Sequence, residues 1–139
     1  MKRKSGERVA LEIVAAKDFN HAFEIVMAGP RKTMKHHMVE EPEGMDGFLY
    51  DTRNELTNYT YYYQFDPYRE TQLEADQVPT IRAFADSVLN WLSVHGAEEN
   101  RVIHQYGLSF QKIRCFADEL GRVCDVAMEH EYGLSGMGD

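Results

Sequence analysis

The chain has 139 residues and a mass of 16.1 kDa, enough for one domain and too little for two well-cored ones. With 43% hydrophobic and 27% charged residues it has a globular balance, which excludes wholesale disorder. Two cysteines exclude a disulfide scaffold, and no apolar run is long enough to span a bilayer.

The net charge of −8 is unevenly spread. Residues 1–39 sum to +4, with Lys2, Arg3, Lys4, Arg8, Lys17, Arg31, Lys32 and Lys35 against four acids. Residues 40–78 hold ten acids against Arg53 and Arg69, which gives −8. Residues 79–122 are balanced, and the last seventeen residues carry −4. An acidic stretch beside a basic one makes a field that can orient a partner. Met1-Lys2-Arg3-Lys4 looks like the start of a signal peptide, but Glu12 and Lys17-Asp18 interrupt the apolar stretch behind it. The expectation is a cytoplasmic protein that does not enter a membrane.

In chain order, Val9, Ile13, Ala16, Phe23 and Val26 recur at helical spacing and predict one helix over residues 7–27, stopped by Gly29-Pro30. The alternation of Val9, Leu11, Ile13 and Ala15 supports a strand instead, and the single helix is preferred. A short strand is expected over 32–39 and a turn over 41–44. Residues 48–53 and 59–65 read as two strands of a hairpin joined by a loop over 54–58. The second would place Tyr59, Tyr61, Tyr63 and Phe65 on one face, packed on the helices, and would be ended by Asp66-Pro67. Six of the eight tyrosines fall between residues 50 and 68, inside the most acidic segment.

The remainder reads as helical. Ile81, Phe84, Ala85, Val88, Leu89 and Leu92 form an apolar stripe between Pro79 and Gly96. A short helix follows over 97–106, closed by Gly107. Ser109 caps a longer helix with the stripe Ile113, Phe116, Ala117, Leu120, Val123, Cys124 and Ala127. The glycine-rich end, 133–139, is expected to fray from a domain over 1–132. The outcome is an α+β domain, a small antiparallel sheet packed on about four helices.

The segment 98–120 resembles the helix-turn-helix signature. Gly107 would make the turn, with Val102, Tyr106, Leu108, Ile113 and Phe116 inside. Phe110, Gln111, Lys112 and Arg114 would face a major groove, where Gln and Arg pair two-pronged with base edges and Lys suits a phosphate. Two features oppose it. Ile103 stands where such motifs carry a small residue, and the segment is neutral where a DNA-binding face is basic.

Other chemistry is thin. His36-His37 followed by Glu40-Glu41 collects ligand types, but neighbours on a strand point to opposite faces. Cys115 and Cys124 are not spaced as a pair, and no base is identifiable beside Cys115. No metal, cofactor or catalytic role is expected. The leading expectation is a small acidic protein that binds another protein bearing a basic surface, as an inhibitor, antitoxin-like partner or assembly factor. Its contact residues would be Glu40, Glu41, Glu43, Asp46, Tyr50, Tyr62 and Tyr68, because tyrosine suits interfaces and acids steer a basic partner. DNA is the alternative partner, and the long last helix would also suit a two-fold homodimer.

Overall fold

The computed structural model describes residues 11–29, 35–66 and 68–138. The fold is α+β, with a four-stranded, wholly antiparallel sheet of order β2-β1-β4-β3 and a helical second half. The strands are β1 (Glu12–Ala16), β2 (Met38–Glu40), β3 (Thr71–Leu73) and β4 (Gly133–Met137). The helices are α1 (Phe19–Ala28), α2 (Met45–Thr52), α3 (Tyr59–Tyr62), α4 (Val78–Val94), α5 (Glu99–Tyr106) and α6 (Phe110–His130).

The single helix expected over 7–27 is a strand followed by a helix, with residues 7–10 outside the described residues. Leu11, Ile13 and Ala15 are buried in the main core, while Val14 and Ala16 are buried against Ala22 and Ile25 of α1. From Ile13 to Ala16 both faces are buried and every residue is apolar, so that stretch fits a helix as well; the strand alternative carried by Leu11, Ile13 and Ala15 is the one the fold takes. Lys17-Asp18 is the boundary: the Asp18 carboxylate accepts the His21 N–H at 2.8 Å and caps α1. Of the strand expected over 32–39, only Met38 and Val39 are in β2; 35–37 form a turn, and 32–34 lie outside the described residues.

The hairpin expected over 48–65 is absent. Residues 45–52 form α2 because the positions they bury, Met45, Phe48, Leu49 and Thr52, are three and four apart, which only a helix brings onto one face. Residues 59–62 make the single turn α3, anchored by an Asn58 Nδ2 donation to the Thr80 carbonyl at 3.1 Å. The expected aromatic face splits: Phe65 is buried and Tyr59 packs partly against the core. Tyr62 is buried and stacks on Phe84 of α4, with ring centroids 4.4 Å apart, while Tyr61 and Tyr63 are exposed.

The helical half follows its sequence pattern. Ile81, Phe84, Ala85, Val88 and Leu92 of α4 are buried, as are Ile113, Phe116, Leu120, Val123 and Ala127 of α6. Arg82 of α4 bridges Asp86 on its own helix (2.8 Å) and Asp125 on α6 (3.1 Å). Gly107 ends α5 at φ 71°, and Ser109 caps α6 by accepting the Lys112 N–H at 3.1 Å.

The expected frayed end is instead an interior strand, β4, paired with β1 on one side and β3 on the other; Asp139 alone lies outside the described residues. Its glycines mark close approach, not looseness. A Cβ on Gly133 would collide with the Leu73 carbonyl of β3, and one on Gly136 would meet the Phe65 ring at 2.5 Å.

Candidate functional site: a tyrosine-lined acidic cleft

A cleft of about 810 Å³ opens between α2, α3 and the loop that follows α3. Leu11, Leu49 and Phe65 supply its apolar lining, and five tyrosines, Tyr50, Tyr59, Tyr62, Tyr63 and Tyr68, supply most of the rest. Glu41, Asp46 and Asp66 bring negative charge, and among the described lining residues Arg69 is the one cation.

The helices set this lining. Asp46 and Tyr50 are four residues apart on α2, so they share a face one turn apart. Tyr59 and Tyr63 are also four apart, and their rings lie 5.6 Å centroid to centroid. Glu41 leaves the end of β2 with its backbone N–H donated to the Leu11 carbonyl at 2.9 Å, and its carboxylate accepts the Tyr62 hydroxyl. Asp66 shapes the outer loop: it accepts the Tyr68 N–H at 2.8 Å and pairs with Arg69 at 3.1 Å.

Two of the phenols are held in the neutral form. Burial, then the neighbouring Tyr63, pushes the Tyr59 hydroxyl up to about 12. Burial, then Glu41, holds Tyr62 well above the ordinary phenol value. The carboxylates of the lining supply negative charge, and the exposed rings of Tyr50, Tyr63 and Tyr68 offer electron-rich faces. Such a face already takes a cation within the molecule: the Arg53 guanidinium lies 3.9 Å above the Tyr50 ring. The arrangement suits a cationic, partly apolar guest.

Of the seven residues singled out in the sequence, Glu41, Asp46, Tyr50, Tyr62 and Tyr68 line this cleft. They came together although the secondary structure expected around them was wrong. Glu43 is exposed outside it. Glu40 lies in a separate groove of about 600 Å³ between β2 and the start of α6. Sequence reasoning missed Tyr59, Tyr63, Asp66 and Arg69. The four-residue spacings Asp46–Tyr50 and Tyr59–Tyr63 were the available signal, hidden by the strand reading.

The nucleic-acid candidates are placed differently. Phe110 is buried, with its ring 6.0 Å from that of Trp91. Gln111 and Lys112 line the second groove opposite Glu40, beside the exposed Cys115. Arg114 is exposed and outside that lining. Ile103, where helix-turn-helix motifs carry a small residue, is 42% exposed, while Val102 of α5 and Ile113 of α6 are buried. Cys115 and Cys124 are both free thiols, and burial pushes the Cys124 thiol up to about 12. Among the described residues no helix is long and apolar enough to cross a membrane. No protein-family model matches the chain, and neither a curated protein nor a solved structure matches it.

Proposed function

We propose that the chain acts by binding another protein, taking a basic segment of that partner into the tyrosine-lined cleft. The observation that carries this reading is convergence: five residues picked for their interface chemistry, from Glu41 to Tyr68, line one concave surface. Rigid aromatic rings bury contact area at low entropic loss, and carboxylates at the rim speed the approach of a cationic partner. The role of an inhibitor, antitoxin-like protein or assembly factor fits a small acidic chain with one such surface.

The test uses capture of partners from the native host, quantified at about 150 mM salt, a concentration that screens weak surface attraction. Asp46→Lys and Tyr63→Ala should each reduce capture of the principal partner by about tenfold, the effect of losing roughly 1.4 kcal/mol of contact. Glu43→Lys, which lies outside the cleft, should leave capture unchanged. Equal loss in all three variants, or none, would overturn the reading.

DNA binding by residues 98–120 is the second reading, favoured by the formed Gly107 turn and Ser109 cap. It requires measurable, salt-sensitive binding to random duplex DNA at about 50 mM salt. Absence of binding there removes it.

A further inference from the structure

One end of the sheet gathers three imidazoles. His37 lies in the turn leading into β2, and its carbonyl accepts the Ala15 N–H of β1 at 2.8 Å. The residue is only 7% exposed, and neither of its ring nitrogens has a hydrogen-bond partner. Its ring centroid is 6.4 Å from that of His130, the last residue of α6, and 6.4 Å from that of Tyr132. Tyr132 stacks on His130 at 5.2 Å and meets His21 of α1 edge-on at 5.3 Å. Three elements thus bring imidazoles to one corner.

A metal does not explain the cluster. His21 Nδ1 accepts the Lys17 N–H at 3.0 Å, which leaves the proton on its other nitrogen, and among the described residues no three ligand side chains are set to hold an ion. Among the described residues, what the corner lacks is any acid facing His37. The ring contacts are His130 and Tyr132, and His21 is the remaining electrostatic neighbour. Asp18 is occupied in capping α1, and Lys17, Lys35 and Glu131 are exposed. The contrast is with His36 next door, whose Nδ1 lies 2.6 Å from the Glu119 carboxylate on α6. A proton on His36 has a counter-charge; a proton on His37 would sit buried beside two further imidazoles.

We propose that this corner is a proton-operated latch: it closes around neutral His37 and releases the Lys35–His37 turn and the start of α1 when that ring takes up a proton in mild acid. Burial first, then His130 and His21, lowers the affinity of His37 for a proton in the closed state. An opened or unfolded corner therefore binds the proton more readily. The closed form is fully favoured above the ordinary histidine value near 6.5, and loses ground as pH falls from there towards the lowered one. The released turn leads directly into β2, the strand that delivers Glu41 to the cleft.

Amide hydrogen exchange between pH 7.5 and pH 5, corrected for its intrinsic pH dependence, reads the latch. Opening at residues 35–40 and in the first turn of α1 should rise as the pH falls, since the open corner binds the proton more readily than the closed one. Amides of α4 and α6 should not follow. His37→Phe keeps a buried ring without a titrating group and should abolish the acid response of the corner. A flat profile in the wild-type protein, or an unchanged response in the variant, overturns the proposal. A ring-proton titration of wild-type His37 is the second measurement, independent of whether the variant folds: its midpoint should fall below the ordinary histidine value, and an ordinary midpoint overturns the proposal equally.

Discussion

The two faces of the sheet are built to different depths. On one face Leu11, Ile13, Val39, Leu73 and Leu134 join a continuous core with Phe48 of α2, Phe84 of α4 and Leu120 of α6. On the other, among the described residues, Val14 and Ala16 meet Ala22 and Ile25 of the ten-residue α1, with Val26, Met38 and Met137 partly buried around them. Hydrophobic stabilisation scales with apolar area removed from water, so the first face holds the fold and the second is held by it. The thin face is also where polar chemistry accumulates. Glu12 and Glu40 lie side by side there, Ser135 donates to Gln72 across β4 and β3, and the imidazole corner sits at its end. Local opening is expected where buried apolar contacts are few.

The largest test of this asymmetry is a pair of truncations read by urea unfolding. Phe84→Ala removes a fully buried ring that stacks on Tyr62, and should cost about 3–5 kcal/mol. Ile25→Ala on α1 should cost about 2 kcal/mol, the low end for its type, because a shallow layer can collapse into the space left. Equal losses would show that the thin face is no thinner in energy than in depth.

Adjacent residues of β4 sharpen the same contrast. Gly136→Ala places a methyl 2.5 Å from the Phe65 ring on the core face, and overpacking of this kind costs about 1–3 kcal/mol. It also displaces a ring that lines the cleft. Ser135→Ala on the opposite face removes one hydrogen bond to Gln72, whose exposed amide can turn to water, and should cost about 1 kcal/mol or less. A reversed order in thermal unfolding would mean that the core side has room that the geometry does not show.

These residues also explain what could be read in advance. The helices α4 and α6 each bury one face, so their stripes and the Ser109 and Gly107 caps were legible from spacing alone. β1 was legible only as the alternative, through the alternation of Leu11, Ile13 and Ala15, because residues 13–16 are buried on both sides and fit a helix as well. Gly133 and Gly136 looked like a loose tail because a sequence does not say what a missing side chain makes room for. The tyrosines misled for a third reason. Four alternating aromatic positions match a strand, but Tyr62 and Phe65, the two that the fold buries, are three apart. Five of the seven residues chosen for their chemistry line one cleft, while the hairpin expected to present them is absent.

The smallest predicted effect belongs to the thin face and has a definite sign. Glu12 stands directly opposite Glu40 across β1 and β2, with Met137 on its other flank. Burial, then the Glu40 charge, holds its carboxyl above the ordinary glutamate value. A folded-state affinity for the proton that exceeds the unfolded one stabilises the fold below the unfolded value near 4.5, and that contribution is lost as pH rises through the folded one. At pH 7 the ionised Glu12 is therefore a net liability, and Glu12→Gln should raise stability by about 0.5 kcal/mol, within the range for like charges facing each other across strands. At pH 4 both proteins carry a neutral side chain here, and the difference should vanish. Melting curves of the pair at the two pH values decide it. A gain of the same size at pH 4 would assign the effect to packing rather than charge, and a loss at pH 7 would mean that this side of the sheet tolerates the carboxylate better than its burial implies.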